Sequence, residues 1–134
     1  MTEHSFVRSV HGHMSSAPDD FLAWKINDKF AGGVADAMYA GAVGTLWVEY
    51  KYAPKLPARE TTKLKYDIRP LQTQWLTRMH NWGHSVRMIV GCERRAVVLT
   101  SPPMWGEQIT KAQFNNLPNY SYKQVAEYIE GKVI

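Results

Sequence analysis

Long apolar runs are missing from this chain. No stretch of about 18 apolar residues occurs, which leaves no candidate for a membrane-spanning helix. Cysteine is nearly absent: Cys92 stands alone, so the chain forms no internal disulfide. No apolar stretch opens it in the manner of a secretory leader, and the expected compartment is a reducing cytoplasm. Internal repeats and low-complexity tracts are lacking too, so solenoids and fibrous classes drop out. Acidic side chains are outnumbered, 12 Asp and Glu against 16 Lys and Arg, which gives a net charge of +4 and tilts the partner class toward anions.

What remains is a globular chain of 134 residues, 45% of them hydrophobic. That length suits one domain over residues 1–134 with a core of its own. The excess positive charge is local. Lys51, Lys55, Arg59, Lys63, Lys65 and Arg69 crowd one segment against only Glu60 and Asp67, with Tyr50, Tyr52 and Tyr66 in or beside it. Such a segment suggests contact with phosphate backbones, with a solvated loop as the alternative. We treat 53–69 as a basic loop and 101–134 as a C-terminal helical extension.

Periodicity sets the expected elements. Thr2 caps a helix over 3–14, in which Phe6, Val7, Val10 and Met14 recur at helical spacing. A strand lies within 21–30. Two apolar runs, 35–40 and 44–52, flank a small turn between Gly41 and Gly44 and read as a β-hairpin. Leu71, Trp75, Leu76, Met79 and Trp82 form the apolar stripe of a helix that Pro70 starts and Gly83 stops. Two more strands lie at 86–90 and 96–100, the first of them placed to run parallel to 44–52. Ser121 and Gln124 cap a last helix that Gly131 ends. This order predicts an α/β fold with a mixed central sheet of about five strands flanked by helices.

The hairpin carries the chemistry. With Ala42-Val43 as its loop, Gly41 faces Gly44 and Asp36 faces Glu49, so their Cβ atoms lie about 5 Å apart. Lys51 shares a face with Glu49 because side chains alternate along a strand. Two carboxylates and an ammonium then meet on one patch, suited to a divalent cation with a water beside it. His4, His11 and His13 form no zinc set, since the spacing and further ligands are lacking. His80 and His84 suit the C-terminal end of the middle helix. Trp47, Trp75 and Trp82 are expected in the core, and Trp105 in contact with a partner.

These residues resemble the PD-(D/E)XK nuclease superfamily, in particular its VRR-NUC and Holliday-junction-resolvase-like group of phages and bacteria. Gly33-Val34-Ala35-Asp36 is similar to the Gly-hydrophobic-Pro-Asp motif, with Ala35 in place of proline. Val48-Glu49-Tyr50-Lys51 is similar to the hydrophobic-Glu-x-Lys motif. Gln72 to Trp75, followed by Gly83-His84, resembles the Gln-x-x-Trp helix and its glycine end, and Val86 to Val90 the strand after it. The segment from Ser101 on resembles nothing in the group.

The resemblance implies a restriction-endonuclease-like core and a Mg²⁺-dependent deoxyribonuclease, with Mn²⁺ as a substitute ion. It implies that Asp36, Glu49 and the backbone carbonyl of Tyr50 hold the ion, that Glu3 adds a ligand, and that Lys51 orients water or stabilises developing charge. Gln72 is either a hydrogen-bonding member of the site or a surface glutamine. Lys55, Arg59, Lys63, Lys65 and Arg69 are the candidate DNA contacts, although their segment also suits a dimer arm or a disordered loop. The implied substrate is branched or structured DNA and the implied assembly a homodimer, with no membrane partner. The competing reading is a non-catalytic DNA-binding or interaction module on a nuclease scaffold.

Overall fold

The computed structural model describes residues 1–14, 20–26 and 32–134. Its centre is a mixed sheet of 6 strands in the order β1-β2-β3-β4-β5-β6. The strands are β1 (Phe21–Lys25), β2 (Ala37–Gly41), β3 (Thr45–Ala53), β4 (Val86–Cys92), β5 (Arg95–Leu99) and β6 (Tyr120–Ser121). In this sheet β3 and β4 run parallel, and the other neighbouring pairs are antiparallel. The parallel pair needs a crossover, and α2 (Pro70–Asn81) lies within it. The remaining helices of the described residues are α1 (Glu3–Gly12), α3 (Pro102–Trp105), α4 (Lys111–Asn116) and α5 (Tyr122–Val133).

Alternation along β3 divides the protein into two cores. Leu46, Val48 and Tyr50 turn to one face, where Phe6 and Val10 of α1 and Val125, Ala126, Ile129 and Val133 of α5 bury them. Ala53 turns to the other face, and Trp47 packs there too, with Leu76 of α2, Trp105 of α3 and Phe114 of α4. Helices cover both faces of the central strand. Glu49 and Lys51, which share the parity of Trp47 and Ala53, are therefore buried.

Local signals explain most element ends. Thr2 and Ser5 form a reciprocal capping box on α1, and Ser121 with Gln124 forms another on α5. Pro70 opens α2, and Gly83 comes after its end at φ +91. Three expectations change. α5 runs past Gly131 to Val133, because Val133 is fully buried in the first core. The stripe on α2 is rotated: Gln72 and Leu76 are buried, while Leu71 and Trp82 are 61% and 67% exposed. Trp105 is fully buried and donates its indole N–H to Thr77 Oγ1 at 3.1 Å, so it is a core residue and not a partner contact. The first strand ends at Lys25, and positions 27–30 of the expected strand lie outside the described residues.

The basic segment after β3 is anchored to the stretch between β5 and α4. Leu64 and Tyr66 are buried. Leu64 N–H donates to the Ile109 carbonyl, Lys111 N–H to the Thr62 carbonyl, and Ile109 N–H to the Tyr66 hydroxyl, all at 2.8–3.0 Å. Among the described residues no helix is long and apolar enough to cross a membrane.

Candidate active site

The turn fixes the register of the hairpin, and the register brings the acids together. Gly41 N–H donates to the Gly44 carbonyl at 3.0 Å. Outward from there Ala40 pairs with Thr45, Tyr39 with Leu46, Met38 with Trp47 and Ala37 with Val48. The next pair in that register is Asp36 with Glu49. Each carboxylate accepts a backbone N–H at the opposite strand: Asp36 N–H donates to Glu49 Oε1 at 3.1 Å, and Tyr50 N–H to Asp36 Oδ2 at 2.9 Å. These bonds tie each acid to the backbone of the facing chain.

Lys51 completes the cluster. Its Nζ lies 3.3 Å from Glu49 Oε2 and donates to Gln72 Oε1 at 2.9 Å. Glu49, Lys51 and Gln72 are 1%, 3% and 9% exposed. Gln72 is thus a buried partner of the lysine and not a surface glutamine. It comes inward because α2 starts directly beside the hairpin. A Cβ on Gly33, which has φ +89, would collide with the carbonyl of Leu71. Glycine at this position lets the chain before Asp36 pass against the first turn of α2.

Burial and the neighbouring charge of Asp36 push the Glu49 carboxyl up to about 8, against the pull of Lys51. Glu3 is also raised, first by burial and then by Asp36, while Lys51 and Arg69 lower it. Glu3, Asp36 and Tyr50 line one small cavity of about 110 Å³ together with Lys25. Glu3 is near the pair without joining it: among the described residues no three His, Cys, Asp or Glu side chains are grouped closely enough to hold a metal ion. Two carboxylates still suit Mg²⁺, which retains several waters and commonly takes only one or two. The donor chemistry therefore fits, because the acids are hard oxygen ligands whose mutual repulsion a cation relieves.

Of the surface cations, Arg69 reaches this cluster through its charge on Glu3. Lys55, Arg59, Lys63, Lys65 and Arg69 are all exposed. Lys63 pairs with Glu107 at 3.3 Å and Arg69 with Asp67 at 3.8 Å, both in solvent, where such pairs contribute little. Larger clefts of about 490 and 600 Å³ lie along α2 and between α3 and α4, away from the acids.

Sequence reasoning missed a polar chain beneath the site, on the opposite face of the sheet. His11 Nε2 and the Tyr39 hydroxyl are 2.7 Å apart, and the Tyr39 and Tyr50 hydroxyls 2.6 Å apart. Burial lowers the pKa of His11 and raises those of both tyrosines, which favours a neutral imidazole accepting from Tyr39. The alternation that buries Tyr39 and Tyr50 was a signal for it. No protein-family model matches this chain, and no curated protein matches it.

Proposed function

We propose that this chain is a metal-dependent DNA endonuclease of the PD-(D/E)XK type. The observation that carries the reading is the facing of Asp36 and Glu49 with Lys51 3.3 Å from the second acid. Asp36, Glu49 and the carbonyl of Tyr50 would hold Mg²⁺ or Mn²⁺. Such an ion supplies Lewis acidity to a phosphodiester and lowers the pKa of water. Lys51, steadied by Gln72, offers an ammonium for the charge that builds on the phosphate oxygens or for orienting the attacking water. The exposed cations Lys55, Arg59, Lys63, Lys65 and Arg69 suit contact with the DNA backbone. Glu3 at the cavity wall serves as an outer carboxylate.

Branched or structured DNA is the substrate class we favour, by analogy with the group the motifs resemble. A homodimer would give each of two equivalent strands its own site. One observation favours the second reading, a non-catalytic DNA-binding or interaction module: Glu49, Lys51 and Gln72 already satisfy one another as a closed buried cluster. A gel assay separates the two. Plasmid and a synthetic four-way junction are incubated with Mg²⁺, Mn²⁺ or EDTA. The nuclease reading expects metal-dependent cuts, paired and symmetric on the junction. Shifted but uncut DNA under every condition would support the module instead.

A further inference from the structure

We propose that Trp24 is a base-stacking platform beside the acidic pair, so that the strand bound here presents an unstacked base next to the phosphate at the carboxylates. The inference deepens the nuclease reading and rests on it for the cleavage step, though not for binding. Its ground is the parity of the sheet. Lys25 pairs with Ala37, and Ala37 belongs to the core under α1 and α5. Trp24 pairs with Met38, and Met38 with Trp47, so these three form one row on the opposite face, the face of Glu49 and Lys51. The row of Asp36 and Glu49 is the next one along, two residues away, or about 7 Å.

The two ends of the Trp24 row differ. Trp47 is covered by Trp75 of α2, with ring centroids 5.4 Å apart. At the other end β1 is the edge of the sheet, and Trp24 is 56% exposed. An indole left open one row from a phosphate-handling cluster matches a nucleotide strand, whose phosphates meet the cluster and whose bases offer π faces. The net charge of +4 adds complementarity to such a strand. A second copy of this chain fits less well. The large apolar side chains that β1 exposes are Leu22 and Trp24, and a stable interface needs about 800 Å² from each partner.

The test is fluorescence anisotropy in EDTA, where no cleavage intervenes, with a labelled single-stranded oligonucleotide and its blunt duplex. Wild-type protein, Trp24→Ala and Trp24→Phe are compared, and the mass of each in solution is measured. Trp24 is exposed, so neither substitution empties the core. The expected result is a loss of about 10-fold in single-strand affinity for Trp24→Ala, under 2-fold for the duplex, substantial recovery with Trp24→Phe, and no change of mass. Equal losses on both DNAs, no loss on either, a change in oligomeric mass, or no binding of single strand by the wild type would each overturn the assignment. Selective binding that depends on Trp24, from a protein that cuts nothing in Mg²⁺, would retain the platform and remove the nuclease reading.

Discussion

Glu49 shows at a single residue what the site demands. Its carboxyl, ordinarily near 4.5, is pushed up to about 8 by burial and by Asp36. Below about pH 4.5 it is protonated in the folded and unfolded chain alike. Between about 4.5 and 8 the unfolded chain ionises while the folded chain keeps its proton, so its stabilising contribution falls as pH rises through that window. In EDTA the melting temperature of the wild type should drop between about pH 5 and 8. Glu49→Gln should flatten that drop and gain on the order of 3 kcal/mol at pH 8 by chemical denaturation. An unchanged pH profile in the variant would mean that the acid is not strained. Lys51→Met should act the other way on the acid, removing the cation that lowers its pKa, so the fall in melting temperature should continue above pH 8. The same variant should lose cleavage rate far more than DNA affinity, and equal losses would make Lys51 a plain phosphate contact. The parity of Glu49 and Lys51 was legible because β-alternation depends on sequence alone. Their depth of burial was not, because it depends on helices covering both faces of β3.

At the scale of elements, the hairpin was the most legible part of the chain. Two glycines around Ala42-Val43 define one turn, and one turn fixes every pair out to Asp36 and Glu49. The helix α2 was legible as a helix but not in its rotation. Spacing favoured Leu71 and Trp82 as buried members, and it carries no knowledge of what lies underneath. Lys51 lies under the first turn, so Gln72 turns inward and Leu71 outward. The junction of these two elements is Gly33. A side chain there would meet the Leu71 carbonyl and strain a backbone at φ +89. Gly33→Ala should therefore destabilise the fold by about 1–3 kcal/mol, read by denaturant titration, and should cut activity more than that loss explains by moving Asp36 away from Glu49. A fully stable and active Gly33→Ala would show that α2 need not press against the hairpin. The short elements α3, α4 and β6 went unseen because stretches of a few residues carry no reliable period.

The described residues form a mixed α/β fold in which α1 and α5, far apart in the sequence, build one core. Trp82 and Trp105 exchanged their expected roles at this scale. A Pro-Met-Trp-Gly stretch reads as an exposed loop until its tryptophan finds Thr77 on the neighbouring helix. Long-range packing of that kind leaves no local mark. The positive charge, by contrast, was plain in composition, and its consequence is measurable. Replacing Lys55, Arg59 and Lys65 with alanine should weaken DNA binding at low salt and reduce the slope of log affinity against log salt by about 0.9 for each phosphate that is no longer neutralised. An unchanged slope would move the DNA to another face.

The central claim is that Asp36 and Glu49 together capture a divalent cation. The most direct measurement is Mn²⁺ calorimetry at pH 7 in two buffers of different ionisation enthalpy. Because Glu49 titrates at about 8, it starts largely protonated and must ionise to bind. The expected result is one ion per chain, release of about one proton, and loss of binding in both Asp36→Asn and Glu49→Gln. Absence of binding, or binding that releases no proton and survives both substitutions, would contradict it.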